Sequence, residues 1–173
     1  MARRFEIRYG SIKALLGDGL ERARQLIARE PGPRWGNEKH TALDIEWLFA
    51  VASLDMERRL EGKSYTYEVQ TFRIGELGIV GLIGEPFVEG QLKMKLGSLA
   101  KRTFVAHMCN GWIGYIPPVS SYNAYNYNFL TPDGKPVRRG ANLFLLEPNA
   151  LDLIAGESIS QLGILFRTRD PGG

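Results

Sequence analysis

Glu85 stands where an apolar run ends. In GIVGLIGEPFVEG (residues 78–90), Ile79, Val80, Leu82 and Ile83 read as a buried strand, Gly84 interrupts it, and Pro86 opens a helix. A carboxylate in that position has two readings. It caps the following helix, because an anionic oxygen just before a proline at the first helical position satisfies orphan N–H groups and complements the helix dipole. Alternatively it faces a crevice, since the sites of α/β sheets gather beyond the carboxyl ends of strands. A second segment, CNGWIGYIPP (109–118), leaves a strand expected at 103–110. If the two strands are parallel neighbours joined by a helix at 86–96, Glu85 and Tyr115 converge, a carboxylate beside a phenol.

Other chemistry-bearing residues are less well arranged. His107 falls mid-strand between Ala106 and Met108, as a core or edge residue or as an alternative metal ligand. His40 opens a helix and reads as a surface or cap residue; the two histidines form no HxH or HxxxH motif. Ser120 and Ser121 lack the glycines of a nucleophile elbow, and Cys109 lacks a defined base. The glycines around 78–90 are not followed by Gly-Lys-Ser/Thr, so they make no phosphate loop. Tyr122, Tyr125 and Tyr127 read as interface or core-edge residues.

The elements that position these residues follow from hydrophobic period. Residues 11–29 read as a helix with Ser11 as N-cap and a stripe of Ile12, Leu15, Leu16, Leu20, Ala23 and Ile27. Residues 41–60 form the strongest helix; Leu43, Trp47, Ala50, Val51 and Leu54 make one stripe and Ile45, Leu48, Ala52 and Met56 a second, so it is expected to be covered on most sides. The period then drops to two. Tyr65, Tyr67, Val69, Thr71 and Arg73 alternate with Thr66, Glu68, Gln70, Phe72 and Ile74, and a Gly-Glu-Leu turn leads to a second strand at 77–83. The end, 143–166, reads as a helix started by Pro148, with a strand at 159–167 as the competing assignment. The whole is a single mixed α/β domain over 1–173, a mixed sheet flanked by helices.

Bulk properties bound the function. With 173 residues, 44% apolar and 24% charged, the chain is long enough for a real core and ordinary in composition. The net charge is +3 and the basic pairs Arg3-Arg4, Arg58-Arg59 and Arg138-Arg139 are isolated, so no stripe for nucleic acid is present. The single cysteine cannot form an internal disulfide. MARRFEIRYG has basic residues but no apolar stretch of a secretory signal, and no run approaches the ~20 apolar residues of a membrane span. Compartment is left open.

Over residues 64–128 the sequence resembles the neutral/alkaline non-lysosomal ceramidase family. The resemblance rests on Gly84-Glu85-Pro86-Phe87, a helix, a strand, and Asn110-Gly111-Trp112-Ile113-Gly114-Tyr115-Ile116-Pro117, in that order; RRGANLFLLEPNALDLI (138–154) is similar to the family's closing segment. The chain has Ile83 where the family usually has proline, and Tyr125-Asn126-Tyr127-Asn128 where it often has Gly-Gly-Tyr-Glu. The resemblance implies zinc amidohydrolase chemistry on N-acyl linkages, with an N-acylated lipid or amide as substrate. It implies Glu85 and Tyr115 as zinc ligands, with Gly84 and Asn110 in support. The family's two histidine ligands and its serine come earlier in the chain, and residues 1–63 hold no matching motif. The chain is therefore expected to correspond to the C-terminal part of the catalytic domain. It should bind zinc weakly and be inactive alone, completed by a separate chain or by self-association. A non-catalytic binding or assembly protein that kept the fold is the alternative.

Overall fold

The computed structural model describes residues 1–10, 18–125, 129–130, 136–137 and 144–167. Its centre is a four-stranded mixed sheet of β1 (Ala2–Arg8), β2 (Ser64–Ile74), β3 (Leu77–Leu82) and β5 (Arg102–Ala106), in the order β1-β2-β3-β5. Between β3 and β5 the chain forms a two-residue strand β4 (Glu85–Pro86) and helix α3 (Val88–Gly97). Two helices, α1 (Gly19–Arg29) and α2 (Ile45–Leu60), precede β2. After β5 come β6 (Tyr115–Ile116), the short helix α4 (Val119–Tyr125), the hairpin strands β7 (Phe129–Leu130) and β8 (Pro136–Val137), and a closing helix α5 (Ala150–Arg167). The mixed α/β class expected from the period changes is what the chain adopts.

β2 and β3 form the expected hairpin, with Thr71 opposite Val80 and Phe72 opposite Ile79. β3 and β5 are parallel, as the crossover through α3 requires, with Ile79 beside Phe104 and Val80 beside Val105. The alternation in β2 sends Tyr67, Val69 and Thr71 to the covered face, where they are buried with Ile7, Val80 and Leu82. α5 lies on that face. Leu151, Ile154, Ala155, Ser158 and Leu162 recur at helical spacing and are buried against it. Polar contacts cross this core at Gln161: the Thr71 hydroxyl donates to its Oε1 at 2.9 Å and its Nε2 donates to Val69 O at 3.4 Å, so both buried polar groups are satisfied.

Several boundaries depart from the sequence reading. β1 went unread in a stretch dominated by Arg3, Arg4, Glu6 and Arg8; it exists because β2 supplies a full antiparallel ladder and buries Ile7. α5 runs as helix through Arg167, which overturns the strand at 159–167; burial of one helical stripe outweighs the two glycines within it. It begins only at Ala150, because Phe144 and Leu146 are held in bridges to Gly114 and Tyr9. α2 starts at Ile45, capped by the Asp44 side chain, which accepts from the Trp47 N–H at 2.9 Å. It is not covered on most sides. Trp47, Ala50 and Ser53 are buried where α1 packs along it, and Leu54 and Met56 meet Tyr122 and Phe144, but Ile45, Leu48 and Phe49 are exposed. The first turns expected at 11–17, the segment at 126–128 and most of 131–143 lie outside the described residues.

Candidate functional site

β3 ends in a bond that the strand pattern did not advertise. The buried Tyr67 hydroxyl donates to the Ile83 carbonyl at 2.6 Å, fixing the chain one residue before Gly84. Gly84 then turns at φ +74, a conformation that L side chains rarely adopt. A Cβ there would lie 2.9 Å from both the Gly114 carbonyl oxygen and Ile113 Cγ2, so the glycine is required by close approach as well as by φ.

The segment leaving β5 folds onto this turn. The Cys109 N–H donates to Leu82 O at 2.8 Å and the Met108 N–H to Gly84 O at 2.9 Å. In return the Gly84 N–H reaches Gly111 O at 3.2 Å and the Glu85 N–H reaches Gly114 O at 3.0 Å. Met108 and Asn110 adopt positive φ, 57 and 61, and Gly111 and Gly114 do too. Four such residues within seven wind the backbone tightly, so residues 107–114 form a compact loop. Asparagine tolerates this geometry well, and Asn110 supplies it; its side chain is exposed and makes no hydrogen bond among the described residues.

The loop delivers Tyr115 beside Glu85. The two are paired residues of the parallel bridge β4–β6, with Pro86 paired to Ile116 and the Phe87 N–H bonded to Ile116 O at 3.0 Å. Paired residues in register project to the same side of a sheet. The structure thus brings together the two residues singled out from the sequence, next to Gly84, which shapes the turn. The crossover topology that this required is present.

The carboxylate does not cap α3. That helix begins at Val88 with Phe87 as its cap residue and no side-chain capping bond. Glu85 Oε1 instead accepts from the Trp112 indole N–H at 2.8 Å. Trp112 was not singled out from the sequence; the only signal was its place between Asn110 and Tyr115. Tyr115 is flanked by the Phe87 ring, edge-on at 6.3 Å between centroids. Phe87 in turn meets Phe144 at 6.2 Å, and Phe144 meets the buried Tyr122. Leu20 of α1 joins this aromatic cluster, so the helical pair is anchored near the same end of the sheet. Tyr122 is a core residue, its hydroxyl donating to Leu146 O at 2.9 Å and its ionisation pushed well up by burial.

His107 is not mid-strand. β5 ends at Ala106, where the loop begins its turn, and His107 is exposed. Among the described residues no three His, Cys, Asp or Glu side chains cluster as a metal-holding group. Glu85 and Tyr115 supply one carboxylate and one phenol, short of the three protein ligands that a catalytic zinc needs beside its open position. No helix among the described residues is long and apolar enough to cross a membrane. Comparison with protein-family models, with curated proteins and with solved structures finds no match to this chain.

Proposed function

We propose that the chain is a partial catalytic domain of the ceramidase type, contributing Glu85 and Tyr115 to a zinc amidohydrolase site for N-acyl substrates and inactive by itself. One observation carries the reading. The two residues that the motif resemblance implies as ligands are bridge partners, on a turn and loop that five backbone hydrogen bonds and five residues of positive φ hold in register. A carboxylate held this way is preorganised, which is what a metal ligand requires of its support. The remaining ligands would come from a separate chain. Tyrosine must lose a proton of ordinary pKa ~10 to bind a metal as an anion, so a carboxylate–phenol pair without imidazole holds zinc poorly near neutral pH.

The alternative, a binding or assembly protein that keeps the fold without the chemistry, is favoured by the Trp112 indole. It already occupies one carboxylate oxygen of Glu85. Zinc titration of the purified chain by calorimetry, beside Glu85→Ala and Tyr115→Phe, separates the two. The partial-site reading expects weak uptake that both changes diminish, and hydrolysis of N-acyl sphingosine no faster than the Glu85→Ala control. Uptake indifferent to both changes would favour the non-catalytic protein. Zinc-dependent hydrolysis abolished by Glu85→Ala would show that the chain completes its own site.

A further inference from the structure

Among the described residues the central sheet has one covered face. α5 lies on the side of Tyr67, Val69, Thr71 and Val80; the opposite side carries Phe72, Ile74, Leu77, Ile79 and Phe104. Phe72 (51% exposed) and Ile74 (64%) lie on β2, and Phe104 (59%) on β5, with β3 between them. The face divides in two. Toward β1 it is polar and internally satisfied: Arg4 pairs with Glu68, and Glu6 accepts from Ser64 and Thr66. Toward β5 it is apolar along the row of Phe72, Ile79 and Phe104, bounded at one end by the exposed Arg102, in register with Leu77, and at the other by Cys109, whose Sγ lies 3.6 Å from where a Cβ on Gly81 would be.

We propose that a second copy of this chain covers this face, sheet against sheet, around a two-fold axis that runs along the strands past Ile79. The apolar centre is symmetric about that line. Phe72, Ile79 and Phe104 occupy one cross-strand row, Phe72 paired with Ile79 and Ile79 with Phe104. Rotation about an axis parallel to the strands and lying between the two sheets sets Phe72 of one copy opposite Phe104 of the other, and Ile79 opposite Ile79. An isologous interface demands this self-complementarity, because residue i must meet j while j meets i.

Size and charge agree. Side chains such as Phe bury about 150–250 Å² each, so Phe72 and Phe104 together offer about 200 Å², and Ile74, Ile79 and Leu77 bring the apolar total to about 400 Å². A standard interface buries about 800 Å² per partner, of which roughly 60% is apolar, so the row and its rim match the centre of one such interface. The same rotation sets Arg102 of one copy opposite Ile74 of the other, so the two Arg102 cations do not meet across the axis. The face uses neither Glu85 nor Tyr115, and it stands whether or not the chain contributes to a zinc site.

Sedimentation velocity at 1–100 µM tests the pairing, on the native chain and on Phe104→Glu, Phe72→Lys and Leu96→Glu. Leu96 is 88% exposed on α3, outside the Phe72–Ile79–Phe104 row, and controls for added charge. The native chain and Leu96→Glu should be dimeric, while each phenylalanine variant should weaken association by at least about 30-fold, the loss expected of a central aromatic anchor. Far-UV circular dichroism checks that each variant is folded. An equimolar mixture of Phe104→Glu with Phe72→Lys should regain the dimer, because one Glu then faces one Lys and the native Phe pair persists. A native chain monomeric at 100 µM overturns the proposal. So does a dimer indifferent to both phenylalanine changes, or a mixture that stays monomeric.

Discussion

Replacing Gly84 with alanine measures how firmly the Glu85 turn is held. Three effects add. Placing a Cβ at φ +74 costs about 1–2 kcal/mol, because the Cβ crowds the following carbonyl in the left-handed region. The new methyl also meets Gly114 O and Ile113 Cγ2 at 2.9 Å. Ile113 Cγ2 can rotate away, but the Gly114 carbonyl is the acceptor of the Glu85 N–H and cannot retreat without stretching that bond. Overpacking of this kind costs about 1–3 kcal/mol. Against these, alanine narrows the unfolded ensemble and returns about 0.4–1 kcal/mol. The net loss is about 2–4 kcal/mol, which for a chain of this size lowers Tm by roughly 4–16 °C. Gly62 provides the control: its φ is +71, yet nothing lies within 4 Å of a Cβ there. Gly62→Ala should therefore lose only the conformational part, about 1 kcal/mol or less after the unfolded-state gain. Urea unfolding followed by circular dichroism, with unchanged m-values, reads both. Equal losses at Gly84 and Gly62 would refute the seating of the 107–114 loop on the Gly84 turn, and with it the preorganisation of Glu85.

Tyr67→Phe leaves the Ile83 carbonyl without its donor and should cost about 1–3 kcal/mol in the same urea assay, the penalty of a buried polar group left unpaired. Burial holds the Tyr67 and Tyr122 phenols above their ordinary range, so their contribution is complete below the unfolded value of about 10 and is lost as pH rises beyond it. The share of the tyrosinate absorbance that belongs to Tyr67 and Tyr122 should then appear together with loss of ellipticity, and ionisation of all tyrosines in a still-folded chain would contradict this. Asp44 behaves oppositely: the Trp47 N–H, and after it Arg34, hold its carboxyl below the ordinary range. Its contribution is present at neutral pH and is lost as pH falls through the acid range, so the Tm gap between native chain and Asp44→Ala should be largest at pH 7 and shrink toward pH 3.

Much of the sheet was legible because a period of two is a local property. The alternation over 64–74 already separated Tyr67, Val69 and Thr71 from Phe72 and Ile74, and the structure places those sets on opposite faces. Glycine and proline marked the turn at 84–86 for the same reason: backbone torsion limits act residue by residue. The placement of Glu85 and Tyr115 at strand ends followed from these local signals together with chain order.

What lay beyond the sequence depended on partners distant along the chain. β1 is strand only because β2 offers a ladder to it, and its alternating charges disguise the inward Ile7. The α2 stripes both repeat at helical spacing, but packing between elements, chiefly against α1, chose Trp47, Ala50 and Ser53 for burial and left Ile45, Leu48 and Phe49 outside. Glu85 could cap a helix or face a neighbour on sequence grounds alike. The 107–114 loop decided it, by bringing the Trp112 indole within 2.8 Å of the carboxylate. Side-chain type and spacing determine which face a residue takes within its own element; which faces find a partner is set by contacts between elements, and those energies exist only once the chain has folded.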